Sequence, residues 1–237
     1  RTLAVSVGQL GNILREQSKP ECVRAYEEAI PLCQRIGDKP EEAILAFNLG
    51  HAYKDIPALR DLAQAERWYR RGLELFGDDD PRRAHCLGQL GLVAYERFIE
   101  ARAAKLLKAE LLKHLNDALG FYQQALQLLP PNAVNDLAVA HNQLGLIYKD
   151  AGDLDRALPH YRESIRYEEM QGNLYGAAQT RANVAIGLVN AGRLDDALAY
   201  ALAALRNYET YGERAAEEIQ KTKGLIEKIE KEMTNDK

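Results

Sequence analysis

The chain has 237 residues, of which 46% are hydrophobic and 28% are charged, ordinary values for a globular protein. Its net charge of −4 lacks the basic excess that is typical of nucleic-acid-binding proteins, so we expect no nucleic-acid partner. No uninterrupted apolar run reaches about 18 residues, so the sequence predicts no transmembrane helix and no membrane partner.

Apolar residues recur at i, i+3, i+4 and i+7, which predicts α-helices, and no stretch alternates as a strand would. The pattern gives eleven helices, ten of them in pairs. In chain order the pairs span residues 3–16 with 20–36, 39–55 with 61–76, 81–104 with 107–129, 133–151 with 154–171, and 174–191 with 194–211, and the last helix spans 214–232. Ser18 and Asp38 each stand three residues before a glutamate, so we expect both to cap the helix that follows.

A short motif returns about every 40 residues, a period typical of stacked helical hairpins. Its copies are Gln9-Leu10-Gly11, Asn48-Leu49-Gly50, Gln89-Leu90-Gly91, Gln143-Leu144-Gly145 and Asn183-Val184-Ala185. The central glycine allows the two helices of a pair to cross closely, since it has no Cβ. In the second helix of the first four pairs, a small residue is followed four residues later by a tyrosine. These tyrosines are Tyr26, Tyr69, Tyr122 and Tyr161.

The motif and its tyrosine resemble the tetratricopeptide repeat (TPR), whose signature is W-x2-L-G-x2-Y, then A-x3-F, then P. The resemblance covers about residues 4–211, although every copy lacks the tryptophan and the period of about 40 exceeds the family's 34. The longer period is similar to that of Gα-regulating GoLoco proteins, kinesin light chains and bacterial regulators. The resemblance implies an all-α fold, a right-handed α-solenoid of helix-turn-helix repeats with a C-terminal capping helix.

We expect one domain over residues 1–237. Its repeats are predicted at 3–36, 39–76, 81–129, 133–171 and 174–211, with the capping helix at 214–232. The interval from Gly91 to Gly145 is 54 residues, and the excess, 96–116, is rich in helix-forming residues. We expect this insertion to be a protruding hairpin with a turn near 104–108, and one long helix is the alternative.

The insertion contains many apolar side chains, and two interpretations of them stay open. They are Phe98, Ile99, Leu106, Leu107, Leu111, Leu112 and Leu115. Packing within the hairpin and onto the repeats is one interpretation. The other is an apolar surface for homodimerisation or for capture of a partner.

The resemblance also implies a concave groove lined by the first helix of each pair, with the sixth motif position facing it. That position holds Gln9, Asn48, Gln89, Gln143 and Asn183, all side-chain amides, and Asn142 stands beside one of them. An amide offers donors and an acceptor, so such a column could bond the backbone of an extended peptide. The alternative is that these amides solvate an open groove or cap neighbouring helices.

Other groove positions add Asn12 and His51 at the ninth place, and Arg15, Lys54, Tyr95 and Lys149 at the twelfth. Each of the three cations precedes an acid, namely Glu16, Asp55 or Asp150. A basic row could favour an acidic peptide or a C-terminal carboxylate. Charge pairing within each repeat, of little energetic value, is the alternative.

Catalytic signatures such as G-x-x-x-x-G-K-[ST], G-x-S-x-G and H-E-x-x-H are absent, so we predict neither enzyme activity nor a cofactor or metal site. The three cysteines form no C-x-x-C pair, which favours reduced thiols and a cytoplasmic location. The sequence therefore predicts a scaffold that binds a protein or peptide. A sensor domain of a larger signalling ATPase or transcription regulator is the alternative, and because the chain begins at Arg1 we expect it to be a piece of a longer protein.

Overall fold

The computed structural model describes residues 1–235 as a succession of α-helices, with no strand among them. The helices are α1 (Thr2–Glu16), α2 (Cys22–Ile36), α3 (Lys39–Asp55), α4 (Leu62–Leu75), α5 (Arg82–Ala103), α6 (Lys108–Leu128), α7 (Val134–Asp150), α8 (Leu154–Met170), α9 (Leu174–Asn190), α10 (Leu194–Glu209) and α11 (Ala216–Asn235). Short 3-10 turns occupy Pro57–Leu59 and Gly212–Ala215. The predicted all-α solenoid architecture is confirmed.

Two compact units divide the chain. The first, Arg1–Leu128, stacks the hairpins α1/α2, α3/α4 and α5/α6, with α2 packed on α3 and α4 on α5. The second begins at Leu129 and stacks α7/α8, α9/α10 and α11, with α8 packed on α9 and α10 on α11. A single domain over the whole chain stays a prediction.

The central glycines allow a tyrosine ring to lie directly against the backbone of the first helix. A Cβ on Gly50 would lie 2.6 Å from the ring of Tyr69, and one on Gly145 would lie 2.6 Å from the ring of Tyr161. Gly11 and Gly91 meet Tyr26 and Tyr122 in the same way. In the fifth hairpin two fully buried alanines, Ala185 and Ala201, occupy these two positions. The motif therefore fixes how closely the helices of each hairpin approach.

Helix capping follows the sequence at one predicted site and departs from it at another. The carboxylate of Asp38 accepts a hydrogen bond from the backbone N–H of Glu41, as predicted. The prediction for Ser18 was wrong, because this residue ends α1 in a left-handed conformation with φ of 54°. The helix that follows begins only at Cys22, and its N-cap residue, Glu21, makes no side-chain capping bond.

The insertion in the third repeat is a hairpin, with α5 and α6 extended and joined at residues 104–107. Phe98 and Leu115 are buried within it. Its tip is apolar and exposed, since Leu107 is 78% and Leu106 is 43% accessible. The buried residues at the base fit the interpretation that the insertion packs within the hairpin. The exposed leucines at the tip fit the interpretation that it offers an apolar surface for homodimerisation or for capture of a partner.

The last helix covers α10, as expected of a capping helix. Ile226 and Ile229 of α11 are buried, and Ile219 packs against Ala204 and Tyr208. The helix begins two residues later than predicted, at Ala216, because the 3-10 turn precedes it.

Candidate functional site

All the predicted site residues lie on the first helices of the hairpins. Gln9, Asn12 and Arg15 lie on α1, Asn48, His51 and Lys54 on α3, and Gln89 and Tyr95 on α5; in the second unit Asn142, Gln143 and Lys149 lie on α7 and Asn183 on α9. The two groups are described separately, since they belong to different units.

Asn12 joins the first two hairpins through its side-chain oxygen. That oxygen accepts a hydrogen bond of 2.8 Å from the Tyr26 hydroxyl, which reaches it past Gly11. It accepts a second bond of 2.9 Å from the side-chain amide of Asn48, on the next first helix. Burial raises the pKa of Tyr26 to about 12, so the hydroxyl keeps its proton and remains a donor. A predicted groove amide is thus already tied to the neighbouring repeat.

His51 occupies the equivalent place in the second hairpin. Its Nδ1 lies 3.1 Å from the Tyr69 hydroxyl and 3.2 Å from a carboxylate oxygen of Asp55. The ring also meets Phe47 edge-on, with centroids 4.7 Å apart. Burial lowers the pKa of His51 despite the opposing effect of Asp55, which favours a neutral imidazole at neutral pH. In both hairpins a buried tyrosine hydroxyl therefore holds the ninth motif residue in place.

The predicted row of cations is largely neutralised within its own repeats. Lys54 is only 9% exposed and forms an ion pair with Asp55. Lys149 lies 3.9 Å from a carboxylate oxygen of Asp150. Arg15 differs, because its Nε is buried and has no hydrogen-bond partner among the described residues. Local charge pairing thus fits the two lysines, whereas the Nε of Arg15 is left without a partner among the described residues.

Three amide oxygens on the first helices are buried and lack a hydrogen-bond partner among the described residues. They belong to Gln89 in the first unit and to Asn142 and Gln143 in the second. A buried polar atom without a partner costs roughly 1–3 kcal/mol. Each side chain as a whole is only half-buried, so rotation about its last torsion can turn the oxygen outward. These three amide oxygens are therefore the hydrogen-bond acceptors available to a ligand on the first helices.

Sequence reasoning missed a pair of histidines in the fourth hairpin. Nδ1 of His141, on α7, lies 3.0 Å from Nδ1 of His160, on α8. Burial lowers the pKa of both rings, and the proximity of His160 lowers that of His141 further. Over residues 1–235 no three metal-ligating side chains come together, so this pair does not complete a metal site. The sequence feature that could have indicated this pair is the position of His141, which stands where the repeat signature has its tryptophan.

A cleft of about 640 Å³ lies between α2 and α4 in the first unit, next to Trp68. At its base the carboxylate of Glu42, which is 4% exposed, accepts hydrogen bonds from Gln34 and Arg71. Arg70 is bonded to Glu66 in the same cleft. Because these charges satisfy one another, the cleft is better explained as a packed ion-pair network than as a ligand site.

None of the helices in the described part of the chain is long and apolar enough to cross a membrane. A family model for the tetratricopeptide repeat matches residues 140–169, the stretch that contains most of α7 and nearly all of α8. No curated protein matches the sequence significantly.

Several solved structures share the fold. The MamA protein is 20% identical, with a TM-score of 0.62, over 87% of this chain and 92% of its own. A putative kinesin light chain of Podospora anserina with nearly identical TPR-like repeats is 12% identical, with a TM-score of 0.63, over 88% and 96%. YrrB, a TPR protein with an unusual peptide-binding site, is 17% identical, with a TM-score of 0.58, over 92% of both chains. At such identities these similarities establish the fold alone.

Proposed function

We propose that this chain, an array of tetratricopeptide repeats, is a non-catalytic scaffold that holds an extended peptide or a helix of a partner protein against the first helices of its hairpins. The repeat fold is one that commonly serves as a protein-interaction scaffold. The observation that carries the proposal is the set of buried amide oxygens on Gln89, Asn142 and Gln143 that lack a partner in the part of the chain that the structure describes. A peptide backbone supplies the N–H donors that such oxygens accept.

The charges favour a ligand recognised through its backbone over one recognised through acidic side chains. Lys54 and Lys149 are paired with Asp55 and Asp150, so an acidic ligand would have to displace an existing partner. The amide column carries no charge, and binding through it gains little from long-range attraction. We therefore propose a neutral, extended segment as the ligand class, contacted also by Arg15, whose buried Nε has no hydrogen-bond partner among the described residues.

The experiment selects binding peptides from a random display library and measures their affinity for purified protein by fluorescence anisotropy. The triple variant Gln89→Ala/Asn142→Ala/Gln143→Ala should bind the selected peptides about tenfold more weakly or worse, since the amides whose oxygens are available to a ligand are lost. The control replaces the exposed amides Asn116, Gln127 and Gln220, which lie on second helices and on α11, and should leave affinity unchanged. Undiminished binding by a folded triple variant, or no selected peptide at all, would contradict the proposal.

We also propose that the tip of the third hairpin joins two copies of the chain. Leu106, Leu107 and Leu112 are 43%, 78% and 41% exposed on one short protrusion. Two such tips can pack on each other about a twofold axis, the commonest symmetry of homo-oligomers. This arrangement would remove from water the apolar groups that the hairpin cannot bury by itself.

A further inference from the structure

A second hollow, of about 400 Å³, adjoins the ion-paired cleft between α2 and α4. Its apolar part is formed by Ile30 and Pro31 of α2, Tyr53 of α3 and Trp68 of α4, and Arg67 of α4 stands beside them. The hollow lies between the first two hairpins, so all of its lining comes from residues that the structure describes. It is called the Trp68 hollow below.

The two aromatic rings of the Trp68 hollow are held apart. Tyr53 and Trp68 are both half-buried and pack on the core shared by α1, α2 and α3, yet within residues 1–235 neither contacts another aromatic ring. In the fourth hairpin the corresponding residues are Tyr148 and His160, whose rings stack with centroids 5.5 Å apart. The stack closes the gap between these two positions, whereas in the second hairpin the same gap is open.

The rings also offer hydrogen-bond donors that the chain leaves unused. The indole N–H of Trp68 and the hydroxyl of Tyr53 are accessible and make no hydrogen bond within residues 1–235. Burial raises the pKa of Tyr53, so its hydroxyl keeps its proton at neutral pH. The guanidinium of Arg67 lies 5.8 Å from the centre of the Trp68 ring and has neither an ion pair nor a hydrogen bond in the described part of the chain.

Three such donors beside two aromatic rings are complementary to a proline-rich segment. In the extended polyproline conformation the carbonyl groups make no internal hydrogen bonds, so they are available as acceptors. Proline has no backbone N–H that would be left without a partner in the hollow. Grooves lined by aromatic side chains bind such segments, because the proline rings pack on the aromatic rings and the conformation is already formed before binding.

The surroundings of Tyr53 carry an excess of negative charge. Glu27 of α2 lines the hollow, and the backbone N–H of Asp61 donates a hydrogen bond to the carbonyl of Tyr53. Both carboxylates are exposed, and neither forms an ion pair within residues 1–235. After burial, these two anions raise the pKa of Tyr53 further, and Arg67 lowers it. Two anions against one cation favour a ligand that carries a basic side chain.

We infer that the Trp68 hollow binds an extended, proline-rich segment of a partner protein with a basic residue next to its prolines. A proline ring enters the gap between Tyr53 and Trp68, and the basic side chain pairs with Glu27. A second copy of this chain fits less well, because its adjacent prolines, Pro130 and Pro131, lie in a stretch, 114–148, without lysine or arginine. None of the residues of the hollow belongs to the amide column, so this inference does not depend on that site.

Trp68 is the only tryptophan in the chain, so its fluorescence reports on the hollow and not on a peptide held elsewhere. The probe is a synthetic peptide of six prolines with one arginine at each end and both termini blocked. Titrated into the full chain, it should shift the Trp68 emission to shorter wavelength and saturate at one site per chain. The same peptide with glutamate at each end should bind about threefold more weakly or worse, since it brings like charge to Glu27.

Two variants test the assigned contacts. Glu27→Gln should bind the arginine-flanked peptide about threefold more weakly, because one ion pair is lost. Tyr53→Phe should weaken binding by about the same factor, since it removes one hydrogen bond and keeps the ring. The matched control is Glu28→Gln, the next residue of α2, whose carboxylate is bonded to Arg24, and it should bind the peptide as the wild type does. Circular dichroism should show unchanged helix content in all three variants.

Absence of a saturable shift in the Trp68 emission would overturn the inference. Equal affinities for the arginine-flanked and glutamate-flanked peptides would overturn the assignment of a basic ligand. An equal shift with an alanine-based helical peptide that carries the same two arginines would show that the hollow accepts a helix, which would contradict the proline-rich class. Equal binding of a peptide with the sequence of residues 126–135 would assign the hollow to a second copy of the chain instead.

Discussion

At the scale of single residues, the contact between a central glycine and a tyrosine ring determines how each of the first four hairpins closes. Tyr161 is fully buried, and its ring atoms would lie 2.6 to 2.9 Å from a Cβ on Gly145. Sequence reasoning predicted a close crossing of the two helices at the glycine, but it did not predict that the recurring tyrosine packs there. Nor did it predict the hydrogen bond from Tyr26 to Asn12, because that bond depends on where the hydroxyl group lies after the two helices have packed.

Gly145→Ala should therefore destabilise the protein although alanine favours helices. Overpacking of this kind costs about 1–3 kcal/mol, which exceeds the roughly 1 kcal/mol that alanine gains in a helix. Gly120→Ala is the matched control within α6, because nothing lies within 4 Å of its Cβ position, and it should stabilise slightly. Urea unfolding followed by circular dichroism measures both changes. An equal stabilisation by the two substitutions would show that the ring moves aside freely.

The histidine pair should make the protein less stable in mild acid. Burial lowers the pKa of His141 and His160 in the folded state, so the unfolded chain takes up protons first. The free energy of unfolding is therefore highest, as far as these histidines affect it, above the ordinary histidine pKa of about 6.5. It decreases as the pH drops below that value. Glu163 and Arg166 also act on His141, in opposite directions.

Thermal unfolding measured from pH 7.5 to pH 5 tests this expectation. The variant His141→Gln/His160→Gln should lose less stability over that interval than the wild type does, because glutamine does not titrate. Identical pH profiles for the two proteins would contradict the inferred coupling. The sequence alone could not predict this pair, since its members are 19 residues apart and meet only when α7 and α8 pack.

At the scale of elements, the periodic pattern predicted every helix to within about three residues, because glycine, proline and aspartate mark the boundaries. The hairpin formed by α5 and α6 was one of two alternatives, since helix-forming residues run through its turn. Lys105 turns the chain there with a positive φ of 56°. Because this residue is not a glycine, the sequence does not indicate the turn.

The tip of this hairpin leads to a prediction about assembly. Multi-angle light scattering at about 100 µM protein should give a dimer for the wild type and a monomer for Leu106→Glu/Leu107→Glu, since two charges would have to be buried at the contact. Leu202→Glu changes a leucine of similar exposure on α10 and should leave the dimer intact. A monomeric wild type, or a dimer unaffected by the tip substitutions, would contradict the proposed contact.

At the scale of the whole molecule, the array combines a repeated framework with a surface that changes from repeat to repeat. In the first unit Asn12 and Asn48 bond each other, whereas the oxygen of Gln89 has no partner within residues 1–235. In the second unit the oxygens of Asn142 and Gln143 both lack a partner in that same part of the chain. The sequence predicted the column of amides because it is periodic. It could not predict which amides are already bonded, since that depends on side-chain rotamers and on neighbours in the next hairpin.

In the proposed complex a peptide ligand is held by the amides of the first helices. Nuclear magnetic resonance of the side-chain NH₂ groups can observe this contact, with a library-selected peptide titrated into isotope-labelled protein. The side-chain signals of Gln89, Asn142 and Gln143 should shift in proportion to occupancy, while those of the exposed Asn116 and Gln220 stay in place. Saturable binding that leaves the signals of Gln89, Asn142 and Gln143 unmoved would contradict it.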